Sequence, residues 1–347
     1  MKIGIVGFPR AGKTTVFNAL TGLQAAVGGY GDPGKPNLGT IKVPDARIDR
    51  LSEIFSPRKT TYAEVVFVDL PGGERGGVLD QTTLVQMRDA DALVQVVRGF
   101  VDPVSQDAAE PARDVAGFQS ELVLADLAVL EKRAERLRKE KGKEQETELV
   151  ERCLKALEAE TPLRNIELSA AEQRTLSGFG LLSRLPVMVV VNVPEDQAAA
   201  PLDAAVAERL RGESAPGLAL CAQIEMEIAS LDAADRTAFL ADLGVAESAR
   251  DRFIQAAYGL LELISFLTTG EDEVRAWPLR RGTPAVRAAG KIHSDIERGF
   301  IRAEVVAFDD FVRLGSDAKC REAGKLRLEG KDYVVQDGDI IHFRFNV

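Results

Sequence analysis

The stretch GFPRAGKTT near the start of the chain restricts the fold more than any other feature. Residues 7–14 satisfy the pattern G-x-x-x-x-G-K-[ST] without a mismatch. The apolar run Ile3–Val6 before it predicts a buried strand, and Thr15–Leu20 after it predicts the first turns of a helix. In that context the glycines let successive backbone N–H groups point inward, and the helix adds the positive end of its dipole. The sequence therefore predicts a phosphate-binding loop in an α/β domain.

Individual residues of this loop have predicted roles. Lys13 is expected to reach the β- and γ-phosphates and to act in catalysis, and the Thr14 hydroxyl is expected to bind Mg²⁺. The loop residues predicted to bind the nucleotide are Arg10, Ala11, Gly12, Lys13, Thr14 and Thr15. The alternative is an ordinary glycine-rich turn between a strand and a helix, which the flanking elements disfavour.

A second motif follows the strand-like run Glu64–Asp69. Asp69 closes that run, and Leu70-Pro71-Gly72 follows at once. Nucleotide hydrolases of this class place a metal-site carboxylate and a γ-phosphate-sensing glycine here, so Asp69 is predicted as a metal-site residue and Gly72 as a catalytic one. An ordinary turn is the alternative, and the phosphate loop upstream favours the functional interpretation.

Length and composition limit the class of protein. The 347 residues are too many for one compact core and predict two or three domains. The three cysteines lie far apart without a CxxC pair, which suits a reducing cytosol. No apolar run reaches the length of a membrane span, and the first residues read as a strand, so we expect no signal peptide and a cytoplasmic protein without membrane contact. The net charge of −10 argues against a general nucleic-acid coat; no DNA partner is expected, and a local basic face stays open.

Further strand-like runs extend the sheet. They lie at Ala92–Val97, Val187–Asn192 and Gly217–Cys221, with helical stretches between several of them. This alternation predicts a doubly wound, mostly parallel sheet.

An amphipathic helical region interrupts the sheet between about Phe118 and Arg184. Its first helix has apolar residues at coiled-coil spacing: Val123, Leu127, Leu130, Ala134 and Leu137. After the charged run KEKGKEQE, a second helix has its own apolar face: Leu149, Val150, Cys153, Leu154, Ala156 and Leu157. We expect an antiparallel helical hairpin. A solvated decoration and a partner-binding arm both remain open.

After about Leu261 the pattern changes to short strands, predicted at EVRAW, IRAEVVAF, DYVV and IIHFRF. One helix is predicted near Phe308–Arg313, and Asp337-Gly338 predicts a tight turn before the last strand. These elements form a small α+β domain. Its many Arg and Lys residues interleave with acidic ones, so a surface that faces a ribosome or RNA stays open.

With these motifs in this order, the chain resembles the YchF proteins, an Obg-related family of Obg-like ATPases. The similarity is greatest in RAAGKIHSDIERGFIRAE, EAGKLRLEGKDYVVQDGDII and the closing FRFNV, and it includes VPDARIDRLSEI and CAQIEMEIASLD. The resemblance covers almost the whole chain. It implies a nucleotide-binding domain in residues 1–117 and 185–261, a coiled-coil arm in residues 118–184, and a ubiquitin-like β-grasp (TGS) domain in residues 262–347.

The base-recognition motif of guanine-specific relatives is N-K-x-D, and the matching segment here is Asn192-Val193-Pro194-Glu195. The Lys is absent, and Glu195 displaces the carboxylate by one methylene, which weakens a guanine clamp built on paired hydrogen bonds. The resemblance implies that members with NxxE prefer ATP. Pro194 removes one N–H donor and fixes its φ angle. The residues predicted to contact the base are Asn192, Val193, Glu195, Cys221, Ala222 and Gln223.

The chain departs from the family in its first switch segment. Family members have a Thr there that completes the Mg²⁺ shell, and the corresponding residue here is Pro33, with Thr40 as the nearest alternative. Both histidines lie in the C-terminal region, so no imidazole is available to orient water in the nucleotide domain. These departures predict slow hydrolysis more than weak binding.

Two classes of function remain at this point. The first is a slow Mg²⁺-dependent ATPase, or alternatively a GTPase, that regulates translation on a ribosome or ribosomal RNA. The second is a nucleotide-sensing ribosome- or RNA-binding module with little hydrolysis. The oligomeric state is left open.

Overall fold

The computed structural model describes residues 1–25, 36–70, 79–213, 215–243 and 248–346, without the side chains of residues 213, 233 and 234. The chain forms two compact units. The first contains Met1–Ile41 and Val66–Leu260, and the second contains Lys42–Val65 and Leu261–Val347.

Twelve strands are present in the described residues: β1 (Lys2–Val6), β2 (Asn37–Lys42), β3 (Lys59–Thr61), β4 (Glu64–Asp69), β5 (Ala92–Arg98), β6 (Val187–Asn192), β7 (Gly217–Leu220), β8 (Leu263–Thr268), β9 (Glu273–Arg280), β10 (Phe300–Ala307), β11 (Arg327–Glu329) and β12 (Asp339–Phe345).

The same residues contain fourteen α-helices: α1 (Lys13–Thr21), α2 (Ala46–Phe55), α3 (Gln81–Met87), α4 (Pro111–Leu137), α5 (Glu144–Glu158), α6 (Ala170–Leu176), α7 (Ala204–Glu213), α8 (Ala222–Ser230), α9 (Ala233–Asp242), α10 (Ala249–Leu260), α11 (Ala285–Ile292), α12 (Ser294–Arg298), α13 (Phe308–Leu314) and α14 (Asp317–Glu322).

The first unit is built on a six-stranded sheet in the order β2-β4-β1-β5-β6-β7. β1 runs parallel to β4 and β5, and β6 runs parallel to β5 and β7. The apolar runs of β1, β5 and β6 are buried almost throughout, as expected for central parallel strands covered on both faces. This confirms the doubly wound sheet. It also brings the carboxyl ends of β1, β4, β5 and β6 to one edge, where ligands bind in such folds.

Helix α4 has 27 residues and serves two parts of the first unit. Near its start, Phe118 and Leu122 are fully buried in a cluster with Val6 and Val68 of the sheet. Farther along, Val123, Leu130 and Leu137 pack with residues of α5 in a separate cluster that holds Leu149, Val150, Cys153 and Leu157. The expected helical pairing is confirmed, but α4 enters the sheet core before it joins the hairpin.

The second unit holds the other six-stranded sheet, in the order β11-β10-β12-β8-β9-β3. β8 and β9 form an antiparallel pair, β12 is parallel to β8, and β10 is antiparallel to β12. Helix α11 buries Ala285, Ala288 and Ala289 against this sheet. This is the arrangement of a β-grasp domain.

Residues 42–65 differ from the expected domain boundaries. The sequence places them in the nucleotide-binding domain, whereas the structure groups them with the second unit. The reason is local pairing: β3 adds to the sheet in parallel with β9, and Phe55 at the end of α2 stacks on Phe311 with ring centroids 5.5 Å apart.

The predicted strand DYVV is not formed, which corrects that expectation. Residues 332–335 contain only an isolated bridge between Pro284 and Val334. Their backbone bonds go to the turn before α11 instead, from Ala285 N–H to the Tyr333 carbonyl and from Val335 N–H to the Thr283 carbonyl. The structure contains α13 where a helix was expected, and it adds α11, α12 and α14.

Candidate nucleotide-binding site

The phosphate loop connects β1 to α1 through backbone conformations that favour glycine. Gly7 has φ +140° and Gly12 has φ +85°. A Cβ on Gly7 would lie 2.2 Å from the Val96 carbonyl oxygen, and one on Gly12 would lie 2.3 Å from Asn192 Nδ2. Both positions therefore require glycine because of a positive φ angle and a close neighbouring atom, which is a backbone oxygen at Gly7 and a side-chain nitrogen at Gly12.

Lys13 begins α1, and its side chain folds back over the loop. Its Nζ donates a hydrogen bond to the Phe8 carbonyl at 3.1 Å. Burial lowers the pKa of Lys13, and the nearby carboxylate of Asp69 acts in the opposite direction. An ammonium held inside the loop by a backbone carbonyl lies where phosphate oxygens would compete for it.

Thr14 and Asp69 meet at the carboxyl ends of β1 and β4. The Thr14 hydroxyl donates to Asp69 Oδ2 at 2.9 Å. Asn37, the first residue of β2, donates from Nδ2 to the same oxygen at 3.2 Å. A hydroxyl and a carboxylate are oxygen donors of the kind that Mg²⁺ prefers, and Mg²⁺ usually takes only one or two protein ligands beside phosphates and water. The residues fit the metal.

Asp69 is only 6% exposed, and this burial sets the direction of its pKa. Burial raises the pKa of Asp69, while the hydrogen bonds from Thr14 and Asn37 and the charge of Lys13 lower it. A bound divalent cation would supply further positive charge and favour the ionised form. Within the described ranges, no three His, Cys, Asp or Glu side chains come together as a metal-binding cluster.

Asn192 joins the phosphate loop to the opposite side of the site. Its Nδ2 donates to the Ala11 carbonyl at 3.2 Å, and its Oδ1 accepts from Ala222 N–H at 3.2 Å. One buried side chain at the end of β6 thus fixes the loop and the N-terminus of α8. The structure brings Asn192, Ala11, Gly12 and Ala222 together.

The remaining residues predicted to contact the base have different environments. Glu195 and Gln223 are exposed at the ends of β6 and β7. Cys221 is the buried N-cap of α8, and burial raises the pKa of its thiol. Val193 is only 8% exposed because it packs in an apolar cluster with Val191 and Ile224. Val193 therefore faces the core with its side chain and offers only its backbone to a ligand.

Arg10 extends from the phosphate loop to the segment after β5. Its Nη1 lies 3.1 Å from Asp102 Oδ2, and 58% of the Arg10 side chain is exposed. Asp102 also accepts hydrogen bonds from the backbone N–H groups of Val104 and Ser105, which with Arg10 lower its pKa to about 2. This pair anchors the loop on the side away from Asp69.

Phe8 in the phosphate loop packs on the start of α4. Its ring meets that of Phe118 edge to face, with centroids 6.2 Å apart, and a Cβ on Gly117 would lie 3.5 Å from the Phe8 ring. The loop backbone is therefore in direct packing contact with the helix that continues into the hairpin.

Some predicted positions lie outside the described residues: catalytic Gly72 and switch-segment Pro33. Thr40, the alternative hydroxyl, lies exposed in β2, as expected of a strand residue, and Thr15 is half-buried in the first turn of α1. Asn37 was not among the residues predicted for the site. Its position in the Pro36-Asn37 pair marks it by motif, but its contact with Asp69 depends on the pairing of β2 beside β4.

Two family models match the chain. Residues 2–132 match one described as a 50S ribosome-binding GTPase, and residues 263–346 match the YchF-GTPase C-terminal model, described as a protein of unknown function. A phosphate loop between strand and helix, with an Asp at the end of the neighbouring parallel strand, defines the class: this is a P-loop NTPase fold of the GTPase type.

Curated relatives match over nearly their full length. A protein of Bacillus subtilis (strain 168) named "Ribosome-binding ATPase YchF" is 42% identical, over 99% of this chain and 99% of that protein. One of the same name from Pasteurella multocida (strain Pm70) is also 42% identical, over 100% and 99%. The chain belongs to the YchF family.

Solved structures agree. The Schizosaccharomyces pombe YchF GTPase superposes with a TM-score of 0.87 at 29% identity, covering 99% of this chain and 97% of that one. A GTP binding protein from Pyrococcus horikoshii OT3 gives a TM-score of 0.58 at 19% identity over 100% of both chains, a likeness of fold alone. Among the described residues, none of the helices is both long enough and apolar enough to cross a membrane.

Proposed function

We propose that the chain binds ATP with Mg²⁺ at the phosphate loop and slowly hydrolyses it to ADP and phosphate. The observation that carries the proposal is the arrangement of Lys13, Thr14 and Asp69 around one loop, with the Thr14 hydroxyl 2.9 Å from the Asp69 carboxylate. The Bacillus subtilis relative that is 42% identical has ATPase in its name, which supports the same activity here.

Phosphoryl transfer depends on positioning and on stabilising charge, which these residues supply. The inward-facing backbone and the Lys13 ammonium hold the β- and γ-phosphates. Mg²⁺, when bound, neutralises charge on the phosphate oxygens; Thr14 and Asp69 would hold it. The backbone of Gly72 is the proposed γ-phosphate contact, and no histidine is available in residues 1–260 to orient the attacking water. Turnover well below the roughly 1–10³ s⁻¹ of typical enzymes is the expected result.

Lys13→Ala tests the site. It should weaken ATP binding at least tenfold, because it removes the cation that the loop directs at the phosphates, and it should leave the unfolding transition unchanged. Lys155→Ala, which removes an exposed ammonium from α5, is the matched control. Calorimetric titration of both variants measures the effect. Equal affinity in Lys13→Ala and native protein would overturn the phosphate loop as the functional site.

The preference for ATP over GTP rests on Glu195, which replaces the Asp of a guanine clamp. Paired titrations with ATP and GTP, each with and without Mg²⁺, measure this preference. Glu195→Asp should shift it towards GTP because the shorter side chain restores the carboxylate position. A Val193→Lys substitution is unsuitable, since it would place an ammonium in the apolar cluster around Val191. Tighter GTP than ATP binding by the native protein would favour the GTPase alternative.

The second candidate function is a nucleotide-sensing module that binds a ribosome or its RNA and hydrolyses little. It is favoured by Pro33, which has no hydroxyl for a metal at the switch position. Phosphate release with and without ribosomes separates the two candidates. Release that stays at background in both conditions supports the module. Pro33→Thr should then raise hydrolysis, because it restores a hydroxyl at the switch position.

We propose that the end of the helical hairpin is the surface that contacts the ribosome. We also propose that the protein acts in the cytoplasm. Arg136, Arg138, Lys139 and Lys141 are exposed there, and none has an ion-pair partner within the described ranges. Nearby Arg133 is already paired with Glu140 and Glu146. In a chain of net charge −10, an unpaired cationic end suits the phosphate backbone of RNA. For the domains we propose a nucleotide domain in residues 1–117 and 185–261, an arm in residues 118–184 and a TGS domain in residues 262–347, except that residues 42–65 group with the second unit.

A double substitution, Arg138→Gln with Lys141→Gln, tests this surface. It should weaken ribosome binding and lower the slope of log affinity against log salt by about one to two, as for the loss of one or two phosphate contacts. Lys155→Gln with Arg174→Gln removes the same charge from exposed sites elsewhere in the helical region. Equal salt slopes for both double variants would exclude the hairpin end as the contact.

A further inference from the structure

Asp69 Oδ2 accepts two hydrogen bonds that come from different elements. One comes from Thr14 at the start of α1, and the other comes from Asn37 at the start of β2. Within the described part of the chain, the other carboxylate oxygen of Asp69 accepts none. Both described side-chain donors therefore hold the Asp69 carboxylate through the same oxygen.

The strand that carries Asn37 is closely fixed in the first unit. β2 lies beside β4, and a Cβ on Gly39 would come within 2.3 Å of Thr21 Cγ2 in α1. Gly39 and Ile41 are buried, whereas Thr40 is exposed and so faces the opposite side of the strand. Asn37 is therefore the β2 residue that reaches Asp69, and Thr40 is directed away from it.

We propose that Asn37 is a positioning residue for Mg²⁺ in nucleotide binding. It orients the Asp69 carboxylate by holding Oδ2, so that the remaining oxygen faces the water shell of the metal. In this chain, where Pro33 cannot supply a hydroxyl, the Asn37 amide provides a link from the segment after the first switch to the metal centre. The inference rests on the proposed function, because it assigns a role within that site.

The test measures how much Mg²⁺ strengthens nucleotide binding. Dissociation constants for ADP are determined in Mg²⁺ and in EDTA for native protein, Asn37→Ala and Thr40→Ala. Asn37→Ala should reduce the gain in affinity that Mg²⁺ provides by about tenfold, the effect of losing one hydrogen bond to a charged group. Its affinity in EDTA should stay native, because within the described residues Asn37 donates its side-chain hydrogen bond to Asp69 and none to the phosphate loop. Thr40→Ala, from the same strand, should match native protein in both conditions.

The outcomes separate the role of Asn37 from the activity of the site. An unchanged Mg²⁺-dependent gain in Asn37→Ala, with that gain present in native protein, overturns the inference and leaves the proposed function standing. An equal loss of affinity in EDTA and in Mg²⁺ also overturns it, because that result reports a disturbed loop. Native protein that binds no nucleotide at all would instead contradict the proposed function. Unfolding temperatures of the variants verify that each is folded.

Discussion

At Gly12, a backbone turn and a side-chain contact impose the same requirement. The residue has φ +85°, and a Cβ would overlap Asn192 Nδ2, which itself bonds to the Ala11 carbonyl. Gly12→Ala therefore should displace Asn192 and deform the loop. We expect a loss of at least tenfold in nucleotide affinity, and a fall in the free energy of unfolding of about 2 kcal/mol or more, measured by urea denaturation.

Gly22→Ala is the control for that substitution. Gly22 also has positive φ, at +71°, but a Cβ at this residue would have no atom within 4 Å of it. This variant incurs the same strain in φ, about 1 kcal/mol, without the overlap. If both variants lose the same amount of stability and affinity, the overlap with Asn192 adds nothing to the cost of the positive φ angle.

Asp102 gives a prediction for pH dependence. Its pKa in the folded protein, about 2, is below its ordinary value of 3.8, chiefly because Ser105 and Val104 N–H groups donate to it. A lowered carboxylate pKa stabilises the fold above the unfolded pKa, and that contribution is lost as pH falls through the folded pKa. The free-energy difference between native protein and Asp102→Asn should hence be constant above about pH 5 and shrink towards pH 2. Urea unfolding at several pH values measures it, and a difference that grows on acidification would contradict the assignment.

Residue roles that depend on a run of consecutive residues were predictable from the sequence. Roles that depend on which strands lie side by side were not. The loop from Gly7 to Thr14 is defined by consecutive residues, so its residue pattern predicts its conformation. Asn37 contacts Asp69 only because β2 lies beside β4, and Val193 faces the core only because of how β6 packs. Neither fact is contained in the local motif.

At the scale of elements, α4 belongs to two clusters at once. The hairpin seam was predicted correctly, because the apolar spacing is strong. The residue pattern predicts the start of the insertion near Phe118, where the structure has a continuous helix that is buried against the sheet. The apolar residues of α4 repeat with helical spacing both where the helix packs on the sheet and where it packs on α5. The residue pattern therefore does not show where α4 changes from one partner to the other.

This changes the deletion that tests whether the arm is dispensable. Replacing residues 118–184 by a linker would remove Phe118, Leu122 and Leu182, all with 0% exposure in the cluster that contains Val6 of β1. Such a deletion should fail to fold, since burial losses of several kcal/mol exceed the margin of a typical domain. Replacing only residues 131–157 by a short Gly-Ser linker should leave a folded protein with native nucleotide affinity. Calorimetric titration of the shorter deletion measures this, and lost affinity in the folded variant would mean that the distal hairpin supports the site.

At the scale of the whole molecule, each of the two units is built from segments that are not consecutive in the chain. Residues 42–65 lie in sequence between β2 and β4 of the first sheet but supply α2 and β3 to the second unit. This was not predictable from the motifs, because β3 has only three residues and its partner β9 is about 200 positions away. Strand-like runs predicted most strands of the first sheet, whereas in the second sheet β3, β8 and β11 were not predicted and the expected strand DYVV is not formed.

Substituting Phe55 tests how much residues 42–65 contribute to the stability of the second unit. Its half-buried ring stacks on Phe311, so Phe55→Ala should lower the free energy of unfolding by about 2 kcal/mol. Arg58→Ala is the control from the same segment, because its ion pair with Asp272 is almost fully exposed and should contribute less than about 0.5 kcal/mol. Urea denaturation compares them. Equal stability of the two variants would mean that α2 is only loosely attached.

The contact between Phe8 and Phe118 has a thermodynamic consequence. Because α4 runs unbroken from this contact into the hairpin, a displacement of the helix at one end would also displace its other end. Any ligand of the hairpin that favours one position of α4 over another then changes nucleotide affinity by some factor. Reciprocity requires the nucleotide to change the affinity for that ligand by the same factor. A coupling free energy measured from either end must therefore have one value, and substituting Phe8 should reduce both measurements together.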